Sequence, residues 1–155
     1  MSSARGYSMA EMLVVVAIVA VIMGVSAPLL WTYYRSAALR AAAEQTVTML
    51  NNARQLAIRM NTTVCVTVDA TGMQYHQGTC AAAAYTGADT DAAGYIKLDP
   101  GLTLGTTANV CFGYLGAAPS PLPAGCLGGA TFTITRAQGG TMNVIVASTG
   151  RVRIQ

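Results

Sequence analysis

Met12 to Trp31 reads MLVVVAIVAVIMGVSAPLLW, twenty residues without a charge. Coiled as a helix, such a run covers about 30 Å, the hydrocarbon thickness of a bilayer. A helix buried in a soluble core keeps a polar stripe, whereas this run is apolar all round. A secretory signal peptide has a shorter apolar stretch, about 7–15 residues, closed by a small-residue cleavage site. Here the run continues into a further helical pattern instead. A membrane-spanning segment is therefore expected, and it accounts for a chain of 155 residues that is 53% apolar and only 10% charged. Arg5 precedes the run while Arg35 and Arg40 follow it, so the positive-inside rule does not fix the orientation. A net charge of +3 is too small to mark a nucleic-acid protein by itself.

Glu11 stands at the head of this run, and no basic residue within it can pair with the carboxylate. An acid at membrane depth is costly and reads as functional once a partner is named. At a helix N-terminus it also meets the positive end of the helix dipole, which is a purely structural account. Glu11 alone does not separate the two.

The neighbouring residues do. Arg5-Gly6-Tyr7-Ser8-Met9-Ala10-Glu11-Met12-Leu13-Val14-Val15-Val16 resembles the processing site of type IV prepilins and pseudopilins. In that family a short basic leader ends in glycine and an aromatic residue opens the mature chain. A glutamate follows as the fifth mature residue, and the apolar helix comes next. The resemblance implies cleavage by a prepilin peptidase between Gly6 and Tyr7, followed by N-methylation of the Tyr7 amine. Tyrosine replaces the usual phenylalanine and Ser8-Met9-Ala10 the commoner Thr-Leu-Ile, and both changes leave the elements of processing in place. The resemblance also gives Glu11 a partner, the N-terminal amine of a neighbouring subunit. An ion pair in hydrocarbon is tolerable where a lone charge is not.

Gly24 and Pro28 interrupt the run. Proline removes a helical hydrogen bond and crowds the preceding turn, so a kink or local melting is expected there, although membrane helices also tolerate such residues. In pilins a glycine–proline region of this kind bends or extends the helix within the filament. Beyond Trp31 the pattern becomes amphipathic: Leu39, Ala43, Val47, Leu50, Ala57 and Met60 fall on one helix face. Trp31, Tyr33 and Tyr34 sit where an aromatic belt would meet the membrane surface. The helix is thus expected from about Tyr7 to Met60.

After Met60 the period becomes that of strands. Strands are expected at 63–68, 73–76, 95–98, 110–114, 131–135, 142–146 and 151–154. Residues 81–94, rich in alanine, and 116–129, rich in Pro and Gly, read as loops. The expected fold class is α+β: a long N-terminal helix, membrane span plus amphipathic half, packed on a small C-terminal antiparallel β domain. The helix-then-sheet order resembles minor pilins and pseudopilins of the GspH/FimT type, most clearly at the N-terminus and over residues 147–154. That resemblance implies a leader over 1–6, a membrane and filament-core helix over 7–31, an amphipathic helix over 32–61 and a periplasmic or extracellular β domain over 62–155. It places the chain in the inner membrane as a single-pass protein, with its C-terminal domain in the periplasm, and then in a pilus or secretion pseudopilus among other pilin subunits.

Cys65, Cys80, Cys111 and Cys126 include no C-x-x-C pair. Zinc sites usually combine closely spaced ligands, so neither a metal nor a cofactor is expected. Separated cysteines in an exported chain read as two disulfides, with three connectivities open. No catalytic constellation emerges. His76 is the only histidine and has no evident acid partner, and Gly125–Gly129 lacks the lysine of a phosphate-binding loop. Asp89 and Asp91 fit a solvated turn better than a calcium loop.

Arg151 and Arg153, spaced by two, project from one face of a terminal strand, with Val152 and Ile154 expected to face the core. Such charges also discourage edge pairing. Yet Gly150-Arg151-Val152-Arg153 matches a Gly-Arg-x-Arg motif of minor pilins that bind DNA in natural transformation, and secretion pseudopilins of the family end in similar strands. The resemblance implies an alternative in which these arginines contact phosphates of double-stranded DNA, a salt-sensitive and sequence-independent mode.

Overall fold

The computed structural model describes residues 8–87, 89–136 and 140–155, with the side chains of residues 28 and 29 outside the description. Gly6 and Tyr7 also lie outside the described residues. The chain divides into two units, Met1–Ala37 and Ala38–Gln155.

Helix α1, Met9–Met60, contributes to both units. It begins at Ser8, whose carbonyl accepts hydrogen bonds from the Glu11 and Met12 amides. Serine is a favoured residue at that position. The helix runs through Gly24 and position 28 without interruption. In the first unit it is long and apolar enough to cross a membrane, with a mean hydropathy of 2.8 over its most apolar window, none of it buried. Arg35 lies over the Trp31 ring, 5.3 Å from its centroid.

In the second unit α1 presents the amphipathic face read from the sequence. Leu39, Ala43, Leu50 and Ala57 are buried and Val47 is packed against the same core. Met60 differs: as the last residue of α1 it is exposed, beyond the end of the covered face. Thr46 is fully buried and satisfies its hydroxyl by donating to the Ala42 carbonyl one turn back.

Among the described residues eight strands follow: β1 Val64–Val68, β2 Gly72–Gln77, β3 Tyr95–Lys97, β4 Leu102–Thr106, β5 Val110–Phe112, β6 Ala130–Arg136, β7 Gly140–Val146 and β8 Val152–Ile154. They form two four-stranded sheets, in the orders β3-β2-β1-β5 and β4-β6-β7-β8, and every pairing is antiparallel. The β1–β2 turn is closed by Asp69, whose Oδ1 accepts from the Thr71 and Gly72 amides at 2.8 and 2.9 Å. Such self-bonding is why Asp favours turns. Alternation then buries Phe132 and Ile134 on β6, Val144 and Val146 on β7 and Val64 and Val66 on β1 against the helix face. Each large apolar side chain buried in this way contributes about 1.5–3 kcal/mol. The Tyr75 hydroxyl on β2 donates to the Met49 carbonyl at 2.6 Å, tying sheet to helix within the buried core.

Two features differ from the sequence reading. β4 is absent from it, because Pro100-Gly101 before the strand and Gly105 within it read as turn punctuation, yet Leu102 and Leu104 alternate into the core. Ile154, expected in the core, is 40% exposed, since β8 is a three-residue edge strand that pairs only with β7.

Candidate functional site

The head of α1 carries the first candidate. Glu11 lies in the first helical turn and is exposed, and among the described residues no cation pairs with it. Below it the helix surface is continuously apolar, with Val14, Ala17, Ile18, Val21 and Ile22 lining one shallow strip. Val16 is 60% exposed and Val21 69%. A contiguous apolar surface of this extent marks a surface built for another apolar partner.

The second candidate is the β7–β8 hairpin. Its turn is closed by a hydrogen bond from the Gly150 amide to the Ala147 carbonyl at 2.8 Å, and the Ala147 amide donates to the Arg151 carbonyl at 2.9 Å. Gly150 has a φ of 79°, and a Cβ there would run into the Gly116 carbonyl. Only glycine fits this left-handed, crowded position without strain. The turn therefore delivers the following residue in a fixed place. Arg151 and Arg153 are both exposed, and they line a depression of about 300 Å³ with Ile145, Ala147 and Thr149. Their shared face is as the spacing implies, and neither arginine forms an ion pair among the described residues.

Other chemistry-bearing side chains are engaged in the fold. His76 is buried, with Nδ1 donating to the Ala82 carbonyl at 2.7 Å and Nε2 2.9 Å from the Thr67 hydroxyl. Asp91 accepts from the Ala93 and Tyr95 amides and pairs with Lys97 at 2.8 Å, a turn held by its own loop. The Lys97 hydrogen bond, together with those amides, holds its carboxyl below the usual range. A depression of about 310 Å³ lies between the last turns of α1 and the 85–90 segment, lined among others by Asn52, Gln55, Arg59, Tyr85 and Asp89. The sequence did not reveal this group, because helix and loop meet only through the fold. Tyr75 borders it, and burial, helped by the Asp89 charge, pushes its hydroxyl far above the usual tyrosine range. The proton it donates to Met49 is thereby retained.

The cysteines form two disulfides, Cys65–Cys80 and Cys111–Cys126, the local connectivity among the three open to the sequence.

Comparison with known proteins agrees with this geometry. A prokaryotic N-terminal methylation motif matches residues 1–27, and the type II transport protein GspH family matches residues 42–150. No curated protein matches the chain. Among solved structures, the type IV minor pilin FimU of Pseudomonas aeruginosa is similar in two crystal forms. One has a TM-score of 0.51 at 18% identity, over 76% of this chain and 92% of that one. The other has a TM-score of 0.50 at 18% identity, over 76% and 87%. At this identity the likeness speaks to the fold. With a methylation motif at its start and the family match over most of the remainder, the chain belongs to the GspH family of type II transport proteins, a minor pilin or pseudopilin anchored by its apolar helix before assembly into a filament.

Proposed function

We propose that the chain is a structural subunit of a type IV pilus or type II secretion pseudopilus, and not an enzyme. Prepilin peptidase removes residues 1–6 by cutting between Gly6 and Tyr7, and the freed Tyr7 amine is N-methylated. Before assembly the subunit sits in the inner membrane with its C-terminal domain in the periplasm. On assembly the first half of α1 leaves lipid for the helices of other subunits. Glu11 then pairs with the terminal amine of a neighbour and sets the axial register of helices that are otherwise interchangeable. Leader removal acts as the switch, since it creates the cation. Gly24 and Pro28 are the place where the helix bends or extends in the filament.

The observation that carries this reading is an exposed Glu11, without a cation among the described residues, at the head of an apolar helix surface that the described residues leave uncovered. The expected behaviour of Glu11→Ala is normal processing and folding with loss of the subunit from filaments. Purified filaments carrying the variant at wild-type level would overturn the role given to Glu11.

A second reading rests on the exposed Arg151 and Arg153 lining one depression. The subunit would bind double-stranded DNA by neutralising phosphates, with Gly150 fixing where the first guanidinium begins. The full chain in detergent, titrated with duplex DNA at several salt concentrations, tests this. Arg151→Gln/Arg153→Gln should weaken binding uniformly across sequences and lower the salt slope by about 2, one for each phosphate no longer neutralised. Equal affinity and slope in both proteins would remove the arginines from the account.

A further inference from the structure

Widely separated in sequence, the four cysteines meet in the fold. Cys65 on β1 and Cys111 on β5 stand directly opposite each other in the strand register. Cys80 lies just after β2, and Cys126 lies near the end of the long loop between β5 and β6. The two disulfides therefore lie against one another: the Cys80 sulfur is 3.5 Å from that of Cys126 and 3.9 Å from that of Cys111. All four sulfurs lie within 4.8 Å of one another, three of them on buried residues and Cys80 on a half-buried one.

We propose that in the reduced chain this cluster is a tetrathiolate site for zinc, so that one place in the fold has two covalent states. Zinc prefers four thiolates at about 2.3 Å in a tetrahedron, whose sulfur–sulfur edges are then about 3.8 Å. The separations of the Cys80 sulfur from the two sulfurs of the other disulfide, 3.5 and 3.9 Å, bracket that edge. The bonded sulfur pairs have to part to reach it, and the Cys65 sulfur, within 4.8 Å of the other three, has to settle against the second pair. Four sulfurs with no oxygen or nitrogen ligand select a soft cation over calcium or magnesium. Four thiolates complete the tetrahedron without a water ligand, as in a closed structural site. The spacing rule that disfavoured a metal applies to ligands presented by one local loop, and here β1–β5 pairing does the gathering.

The two states interconvert with balanced chemistry. Each disulfide takes two electrons and two protons from a dithiol, which leaves as its own disulfide. Zinc then displaces the four thiol protons to solvent. In the other direction, loss of zinc and transfer of two electrons from each cysteine pair to a disulfide oxidant restores Cys65–Cys80 and Cys111–Cys126.

The test uses the full chain in detergent, reduced with a phosphine and titrated with Co²⁺. The expected result is the visible bands of tetrahedral cobalt with thiolate charge transfer, saturating at one ion per chain and bleached by zinc. The near-ultraviolet circular dichroism of the oxidised protein should be retained or regained as metal is added. Cys80→His, which cannot form the disulfide but can still ligate, should keep the tetrahedral bands with charge-transfer intensity at about three-quarters, one Co–S bond in four being replaced. Absent bands would overturn the proposal. So would bands without native circular dichroism, which mean binding by unfolded chain, or equal binding by the oxidised protein, which would place the metal elsewhere.

Discussion

The two halves of α1 are both rich in Ala, Val, Leu and Met, but they differ in what covers them. From Met12 to Val25 the large apolar side chains stand open, whereas Ala43, Leu50 and Ala53 are 0% exposed. Apolar surface left in water costs about 25 cal/mol per Å². A helix half that the described residues leave bare is thus suited to a medium other than water, first lipid and then other helices. The second half finds its cover in its own two sheets. One helix therefore carries two interfaces, and the change in periodicity after Trp31 marks where one gives way to the other.

Matched truncations offer the largest way to break this comparison. Leu50→Ala should destabilise the C-terminal unit by about 2–5 kcal/mol in chemical denaturation of the detergent-solubilised chain. Val16→Ala should shift the same transition by less than about 0.5 kcal/mol. Similar losses from both would mean that the first half also belongs to the folded core. Tyr75→Phe asks a finer question, since it removes only the hydrogen bond that ties β2 to the Met49 carbonyl. A loss of about 0.5–1.5 kcal/mol is expected in that transition, with membrane retention unchanged.

The smallest effect concerns pH and is again confined to the second half's domain. At Asp69 burial is the largest single influence and raises the carboxyl, but the hydrogen bonds from Thr71, Gly72 and Tyr95 together outweigh it and hold the group below the usual range. A depressed carboxylate contributes stability that is present above its unfolded value, about 3.9, and lost as pH falls through the lower folded one. Asp69→Asn should therefore flatten the acid limb of a stability–pH profile below about pH 4. An unchanged limb would assign the acid sensitivity to other groups.

How much of this was legible depended on whether a feature is local. The helix start, the change of period after Trp31, the two loops and seven of the strands follow from residues close in sequence. The Ser148–Gly150 turn was readable in the same way, and with it the shared face of Arg151 and Arg153. β4 was hidden because glycine and proline around Leu102 and Leu104 look like a turn until a neighbouring strand accepts their backbone hydrogen bonds. The exposure of Ile154 depended on β8 being an edge strand, which no pattern within four residues encodes. The meeting of four cysteines depended on β5 pairing with β1 across forty-odd residues of intervening chain.

The division of α1 into an outward and an inward half is tested most directly by site-specific photocrosslinking within assembled filaments. A photoreactive side chain placed at Val15 should yield adducts with other pilin-like subunits, and one at Val47 should yield adducts within the same chain. Intrachain or lipid adducts alone from Val15 in purified filaments would contradict the account.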